Sequence, residues 1–265
     1  MSLSVCSLQS GSNGNCTFIS NGRTNLLIDC GIPLKTLEEG LYSIGVSPSN
    51  IHGVFVTHEH SDHIKSVGAL SRRYGVPIFA NTNTWSAMER KIGEVRPGCI
   101  KLFSSGGDVY FSDVCISTIK ISHDAAEPVA FSVCDKDRKV SIVTDLGVIN
   151  KGVLSFMEGS QLVFLEANHD VDMLIRCSYP PVLKQRILSA KGHLSNADCA
   201  ETILKLMDHS IRYILLSHLS KESNTPELAF ATVRDILAQS NVHIGSDIMV
   251  DMTYRDHVSR VYNLV

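Results

Sequence analysis

Short apolar runs rich in Val, Ile and Phe recur along the chain, separated by turn-forming residues, and this pattern predicts β-strands. The predicted strands cover residues 3–8, 17–20, 25–29, 53–57, 77–80, 114–121, 130–133, 140–144, 162–166 and 213–217. Apolar residues three and four apart predict helices at 64–74, 84–91, 181–188, 196–208 and 225–239. The strand runs are too numerous and too often hairpin-linked for one parallel sheet. The pattern therefore favours two sheets packed face to face with helices outside them.

The composition fits a folded chain with a substantial core, since 44% of the 265 residues are hydrophobic. There is no Pro-rich or Ser-rich linker and no run of a single charge, so we expect one domain covering residues 1–265. The formal net charge is -3, which excludes a globally basic nucleic-acid binder. The net charge does not exclude a local basic patch.

The cysteines and the N-terminal segment indicate where the protein works. The eight cysteines never form a CxxC pair, and most lie inside apolar runs, so we expect reduced core thiols. The N-terminal segment lacks the basic and apolar regions of a signal peptide, and no run of 18 apolar residues occurs. We therefore expect a cytoplasmic protein without a membrane partner.

The strongest chemical signal is the segment 54–63, VFVTHEHSDH, in which an apolar run is followed by His58, His60, Asp62 and His63. Residues two apart in an extended segment project to the same side. Imidazoles and a carboxylate are good ligands for divalent transition metals, and the lack of thiolates disfavours a soft structural zinc site. A histidine-rich polar loop is the alternative, but crowding these groups together without a cation is costly. The segment therefore predicts a metal site.

These residues match the HxHxDH signature of the metallo-β-lactamase superfamily, which the chain resembles. Four further motifs of that family can be matched in order, by Asp29 in NLLIDCG, His123 in ISHDAAEP, Asp145 in VSIVTDLG and His218 in YILLSHLS. The resemblance implies an α/β fold, the αββα four-layer sandwich, with a dimetal site at the edge of the sheets.

The resemblance also implies the ligands of two divalent metal ions per chain, Mn or Zn. One ion would be bound by His58, His60 and His123, the other by Asp62, His63 and His218, and Asp145 would bind both. Asp29 would support the metal loop without binding a metal. A hydroxide between the ions would be the nucleophile, because two cations that share a water molecule lower its pKa.

Three more segments narrow the resemblance to the YycJ/WalJ (VicX) branch, small bacterial proteins regarded as DNA exonucleases. They are SGSNGNC at 10–16, FLEANHD at 164–170, and the pair KGHLSN at 191–196 with LSHLSKESN at 216–224. His193 resembles the histidine that faces the leaving group in transfer-RNA 3′-processing enzymes. We expect Asp62 and His193 to be catalytic, with His193 the general acid; a helix-capping role for His193 is the alternative.

Substrate contacts are harder to read from the sequence. Asn168, His169 and Lys191 are candidates, although Asx and His residues are also common in turns. Basic residues flank the motifs and could track a phosphate backbone, but a solvated surface explains them equally well; they are Lys65, Arg72, Arg73, Lys184, Arg186 and Lys191. The glycines of SGSNGNC favour a turn over a phosphate site.

We therefore interpret the chain as a metal-dependent hydrolase of phosphodiester bonds, a DNA exonuclease with nucleic acid as its substrate. One alternative is a hydrolase of a small ester, a thioester or a cyclic phosphate. A regulatory module that retains the fold is a further alternative, although such a module needs no complete ligand set.

Overall fold

The computed structural model describes residues 2–207 and 211–265. The strands are β1 Leu3–Gln9, β2 Cys16–Ser20, β3 Asn25–Ile28, β4 Gly53–Phe55, β5 Ile78–Asn81, β6 Ile100–Phe103, β7 Asp108–Phe111, β8 Val114–Lys120, β9 Val129–Asp135, β10 Arg138–Val143, β11 Leu162–Glu166, β12 Tyr213–Ser217, β13 Met249–Met252 and β14 Tyr262–Leu264. The α-helices are α1 Leu34–Ser43, α2 Ser61–Ile64, α3 Val67–Tyr74, α4 Thr82–Ile92, α5 Lys151–Met157, α6 Val171–Arg176, α7 Pro181–Ile187, α8 Asn196–Leu206 and α9 Pro226–Gln239. Short 3₁₀ turns cover Pro48–Asn50 and Pro97–Cys99.

The chain divides into two compact units. The first unit contains the described residues of Met1–Lys120 together with Ala125–Arg138 and Tyr254–Val265. The second unit contains Ile121–Asp124 and the described residues of Lys139–Thr253. The single domain expected from the composition stays a prediction.

The first unit is built on a mixed sheet with the strand order β14-β1-β2-β3-β4-β5-β6. Strands β14, β1, β2 and β3 pair antiparallel, whereas β3, β4, β5 and β6 pair parallel. Strands β7, β8 and β9 pair antiparallel as successive neighbours in the same unit. Because parallel strands end at the same edge, the loops that follow β3 and β4 begin side by side.

Aromatic side chains fill part of the core of the first unit. The ring of Phe55 on β4 stacks on that of Phe79 with centroids 4.3 Å apart, and Phe131 meets Phe55 edge-on at 5.9 Å. All three rings are buried. These contacts pack the end of β4 into the core, and the histidine-rich loop continues from that end.

The second unit contains a parallel sheet formed by β10, β11, β12 and β13. Strands β11 and β12 are almost entirely buried, which explains why they appear in the sequence as continuous apolar runs. Helix α8 begins at a complete capping box, in which Ser195 and Asp198 each accept a hydrogen bond from the other's backbone N–H. The helix therefore starts at a fixed point, directly after the segment that contains His193.

The helix predicted at 64–74 is interrupted in the structure. Helix α2 ends at Ile64 and α3 begins at Val67, because Ser66 adopts a non-helical conformation with φ -115° and ψ 2°. The Ser66 backbone N–H donates to the Cys30 carbonyl, and its hydroxyl donates to the Ile32 carbonyl. These tertiary bonds replace the helical ones. The helix predicted at 196–208 ends at Leu206, and Asp208 lies outside the described residues.

The eight cysteines are free thiols, four of them buried: Cys6, Cys16, Cys30 and Cys199. Burial raises the pKa of the Cys16 thiol well above its usual value, because a thiolate is poorly solvated there. Burial raises the pKa of Cys199 as well. Such thiols are poor nucleophiles.

Candidate functional site

In the first unit, the loop after β4 gathers the residues of the HxHxDH signature. The rings of His58 and His60 lie 4.5 Å apart between centroids, and those of His58 and His63 lie 4.1 Å apart. Asp62, in the first turn of α2, places Oδ2 3.5 Å from Nε2 of His63. His58 and His63 are fully buried. The structure thus clusters three imidazoles and one carboxylate around this short loop.

Asp29 fixes the orientation of His63. Its Oδ2 lies 2.8 Å from Nδ1 of His63, and the backbone N–H and hydroxyl of Thr57 donate to its two carboxylate oxygens. Burial raises the pKa of Asp29 above its ordinary value, and the neighbouring His63 opposes part of that rise. Asp29 has φ 60°, a left-handed conformation that is costly for a residue with a side chain. The carboxylate is therefore held beside His63 at the expense of backbone strain.

The glycine-rich loop 10–15 lies against the same segment. The Asn15 backbone N–H donates to the Asp62 carbonyl at 2.8 Å, and its side-chain Nδ2 lies 3.2 Å from Nε2 of His63. A side chain at Gly31 would overlap the Asp62 carbonyl oxygen, so this close approach requires glycine. Sequence reasoning missed the role of Asn15, because it depends on a contact between residues 47 positions apart.

In the second unit, three polar residues stand at the carboxyl ends of adjacent parallel strands. Asp145 follows β10, Glu166 ends β11, and His218 follows β12. The register pairs Glu166 with Ser217, which brings the ends of β11 and β12 level. Asp145 and His218 have φ 61° and 58°, again in the left-handed region. Backbone strain at such positions commonly marks a functional site.

The side chains at these strand ends converge on Asp145. Its Oδ1 lies 3.4 Å from Nε2 of His218 and 3.9 Å from both Nε2 of His123 and Nδ1 of His193. Asp145, Glu166, His193 and His218 each contribute one potential ligand atom, and these atoms lie within 4.8 Å of one another. The unit therefore brings together His123, Asp145, His193 and His218, and their roles as ligands and acid stay predictions.

Glu166 was not predicted and lies at the centre of this group. Its Oε1 is 2.8 Å from Nδ1 of His193 and 2.8 Å from Nδ1 of His218. Its Oε2 accepts from the backbone N–H groups of Leu146 and Leu194. Burial alone would raise the pKa of Glu166, but the charges and hydrogen bonds of His193 and His218 lower it to about 2. Glu166 is therefore an ionised carboxylate with no solvent exposure, and it orients two histidines.

Four of the proposed histidine ligands share one arrangement that suits metal binding. Each faces a protein oxygen through Nδ1: His58 that of Thr57, His63 that of Asp29, His123 the carbonyl of Gly192 and His218 that of Glu166. Metal-binding histidines characteristically use one ring nitrogen for such a bond, which fixes the ring and leaves Nε2 as the coordinating atom. Burial lowers the pKa of His123, which favours the neutral ring that metal binding requires. The donor set in both units fits divalent cations.

The three candidate substrate contacts lie in different environments. Asn168 is buried and donates from Nδ2 to the His218 carbonyl at 2.8 Å. His169 is buried as well, whereas Lys191 is exposed just before His193. Their role as substrate contacts stays a prediction, and the described bond of Asn168 is one that positions His218.

Four of the six basic residues noted in the sequence bind other parts of the protein. Arg72 donates to the carbonyls of Ile92 and Glu94, and Arg73 pairs with Glu38. Lys184 donates to the Ile175 carbonyl, and Arg186 forms an ion pair with Asp124. Lys65 and Lys191, the remaining two, are exposed.

Comparisons with known proteins agree with this geometry. Residues 10–155 match the model of the metallo-beta-lactamase superfamily. The exodeoxyribonuclease WalJ of Streptococcus pneumoniae is 38% identical over 251 residues, which cover 94% of this chain and 93% of that protein. The exodeoxyribonuclease YycJ of Bacillus anthracis is 36% identical over 245 residues, which cover 92% of this chain and 93% of that protein.

A solved structure shows the same fold. The metallo-beta-lactamase fold protein YhfI from Bacillus subtilis superposes with a TM-score of 0.73 at 17% sequence identity, covering 97% of this chain and 99% of that one. The fold class expected from the sequence, the αββα sandwich, is thereby confirmed. Across the residues described, no helix has the length and apolar character needed to cross a membrane.

Proposed function

The chain belongs to the metallo-β-lactamase superfamily, and on that premise we propose that it is a metal-dependent exodeoxyribonuclease. The predicted resemblance to the YycJ/WalJ branch is confirmed by two relatives that are 38% and 36% identical over most of the chain. Both relatives bear the name exodeoxyribonuclease, which supports the prediction of a hydrolase that cleaves phosphodiester bonds.

The observation that carries the proposal is the convergence of imidazoles on one carboxylate in the second unit. Asp145 Oδ1 lies within 3.9 Å of ring nitrogens from three histidines, and none of these groups is a thiolate. Nitrogen and oxygen donors of this kind suit Mn²⁺ or Zn²⁺. The proposed ligands of two divalent ions are His58, His60, Asp62 and His63 in the first unit and His123, Asp145 and His218 in the second.

Bound divalent ions would act as Lewis acids that neutralise phosphate charge and make water a better nucleophile. The ligand residues orient and hold these ions through the side-chain contacts described above. We assign Asp62 to this machinery because its carboxylate lies beside Nε2 of His63, and its side chain is 21% exposed to solvent. This exposure leaves the Asp62 carboxylate accessible to a substrate.

His193 is the proposed general acid. Its Nδ1 donates to Glu166, so the proton that can be transferred lies on Nε2. The bond to Glu166 also fixes the orientation of the ring, which a general acid requires. The departing deoxyribose oxygen is a poor leaving group unless it is protonated. The His193 side chain is 12% exposed, which leaves it accessible to solvent and to a substrate.

We infer that DNA is the substrate and that manganese supports the activity. We place the protein in the cytoplasm, where its eight free cysteines would remain reduced. Lys191, Asn168 and His169 stay candidates for contacts with the nucleic acid.

The test is to deplete the purified protein of metal, restore Mn²⁺ or Zn²⁺, and follow the digestion of end-labelled linear DNA. We expect nucleotides to be released progressively from linear DNA and not from a covalently closed circle. RNA and a nitrophenyl phosphodiester are the comparison substrates. Cleavage of RNA or of the small diester alone, with DNA intact, would contradict the proposal, as would equal cleavage of the closed circle.

A further inference from the structure

A cleft in the first unit lies beside the metal loop and shares one residue, Asp62, with the proposed metal ligands. Its volume is about 430 Å³, within the range of roughly 300–1,000 Å³ that is typical of small-ligand sites. The polar residues that line it are Ser12, Asn13, Ser61, Asp62, Lys65 and Lys91. They come from the glycine-rich loop, from the start of α2 and the residue that follows it, and from the last turn of α4.

The lining of the cleft has the chemistry of an anion site. Ser12, Ser61 and Asn13 offer hydroxyl and amide donors, and Lys65 and Lys91 add two positive charges. Asp62 is the single carboxylate among the lining residues, and it is a proposed metal ligand. A phosphate diester accepts hydrogen bonds and carries negative charge, so it matches such a set of donors.

Lys91 is held at the cleft by a specific contact. From the last turn of α4 its ammonium donates to the Glu59 carbonyl at 3.2 Å, and Glu59 lies between His58 and His60 in the metal loop. An ammonium has three donors, so two remain for a ligand after this bond is made. Lys65 follows Asp62 by three residues, at the end of α2. Lys91 is therefore held beside the metal loop by this bond, and Lys65 lies three residues after the proposed ligand Asp62.

We propose that this cleft binds one backbone phosphate of the DNA strand next to the cleaved bond, with Lys65 and Lys91 as its cations. The inference rests on the proposed function and specifies where the substrate strand lies. It also gives the glycine-rich loop a function, whereas the sequence favoured a simple turn there. Asp62 lines the cleft, so a phosphate bound in it lies beside the metal loop.

The test measures binding of a fluorescent single-stranded phosphorothioate oligodeoxynucleotide, which resists cleavage, to the metal-loaded protein by anisotropy. We expect K65Q and K91Q each to weaken binding roughly tenfold. Each should also reduce the slope of log affinity against log salt by about 0.7, the value for one lost phosphate contact on a single strand. The matched control is K101Q, which removes an exposed lysine on β6, outside the cleft. We expect it to change neither quantity.

A second measurement separates a phosphate contact from a general effect of charge. A single neutral methylphosphonate linkage is placed at each position of the oligonucleotide in turn. One position should weaken binding to the wild type, and the same position should make little difference to K65Q or K91Q. If the variants keep the wild-type affinity and salt slope, or if K101Q matches them, the inference is wrong.

Failure of the inference and failure of the proposed function give different results. If the wild type digests linear DNA while K65Q and K91Q bind DNA normally, the cleft is not the phosphate site and the nuclease proposal stands. If the wild type neither digests nor binds DNA, the proposed function fails, and the cleft proposal fails with it. Metal content should be unchanged in both variants, because neither lysine is a ligand.

Discussion

Nδ1 of His193 lies 2.8 Å from Oε1 of Glu166, a carboxylate with no solvent exposure. If His193 is the general acid, as proposed, this contact leaves Nε2 as the nitrogen that donates the proton. The Glu166→Gln variant should therefore lower the turnover of DNA by about a hundredfold or more, because a neutral amide holds the His193 ring more weakly than the carboxylate does. The measurement is kcat on linear DNA together with metal content.

The same substitution in a His193→Ala background is its control. If Glu166 acts through His193, the second substitution should add little to the loss caused by the first. Because Glu166 also contacts His218, a fall in metal content would show that its main role is to hold the ligand. Full additivity of the two losses would contradict the positioning role assigned to Glu166.

His193→Ala should retain the fold and both metal ions but lower the rate on a phosphodiester of DNA by about a hundredfold to ten-thousandfold. The defect should shrink on a nitrophenyl diester, whose leaving group needs no proton. The ratio of the two losses reports the role of His193. If both substrates lose the same factor, or if metal is lost with the side chain, His193 is not the acid.

Asp145→Asn should reduce metal content and abolish hydrolysis, because the neutral amide is a weaker ligand than the carboxylate that the surrounding histidines face. The metal content of the wild type, measured by elemental analysis, should be close to two divalent ions per chain. The control is Asp135→Asn, which removes a buried carboxylate paired with Arg138 in the first unit. A wild type that saturates at one ion would contradict the dinuclear assignment.

The sequence predicted best those elements whose apolar pattern spans the whole element without interruption. The predicted strands 162–166 and 213–217 coincide with β11 and β12, because buried parallel strands are continuous apolar runs. Helix α1 escaped notice because it begins after Pro33, with no side-chain cap and no acidic residue in its first turn. Strand β6 was missed because two of its four residues are exposed.

The difference between local patterns and tertiary contacts also explains which site residues the sequence predicted. The HxHxDH residues lie within six positions of one another, so their chemistry is visible in the sequence alone. Glu166 is 27 residues from His193 and 52 from His218, and its role arises only when strand ends align in a parallel sheet. Asn15 likewise acts across 48 residues, on His63. Contacts of this kind depend on tertiary pairing, which no local pattern encodes.

The left-handed backbone at Asp145 predicts that a glycine variant at this position is more stable than an alanine variant. Asp145→Gly should be more stable than Asp145→Ala by about 1 kcal/mol in metal-free protein, because φ 61° strains alanine but not glycine. Chemical denaturation measures the difference. Glu201, an exposed residue inside α8, is the control. There the alanine variant should be more stable than the glycine variant, because glycine is the poorer helix former. Equal stability of the two Asp145 variants would mean that the strain is absent.

The burial of His169, which is not a proposed metal ligand, predicts that the stability of the fold depends on pH. Burial lowers the pKa of His169 in the folded state below its ordinary value of about 6.5. Below that pH the unfolded chain takes up a proton that the folded protein does not, so this contribution to stability is present above pH 6.5 and is lost as the pH falls towards the folded pKa.

Removing the titrating group by His169→Gln should therefore flatten the fall in unfolding free energy between neutral and mildly acidic pH. Denaturant titrations of metal-free protein on both sides of that window measure it. The exposed His243, replaced in the same way, is the control and should leave the pH profile unchanged. If the His169 variant keeps the full wild-type slope, the buried ring does not contribute to the acid sensitivity of the fold.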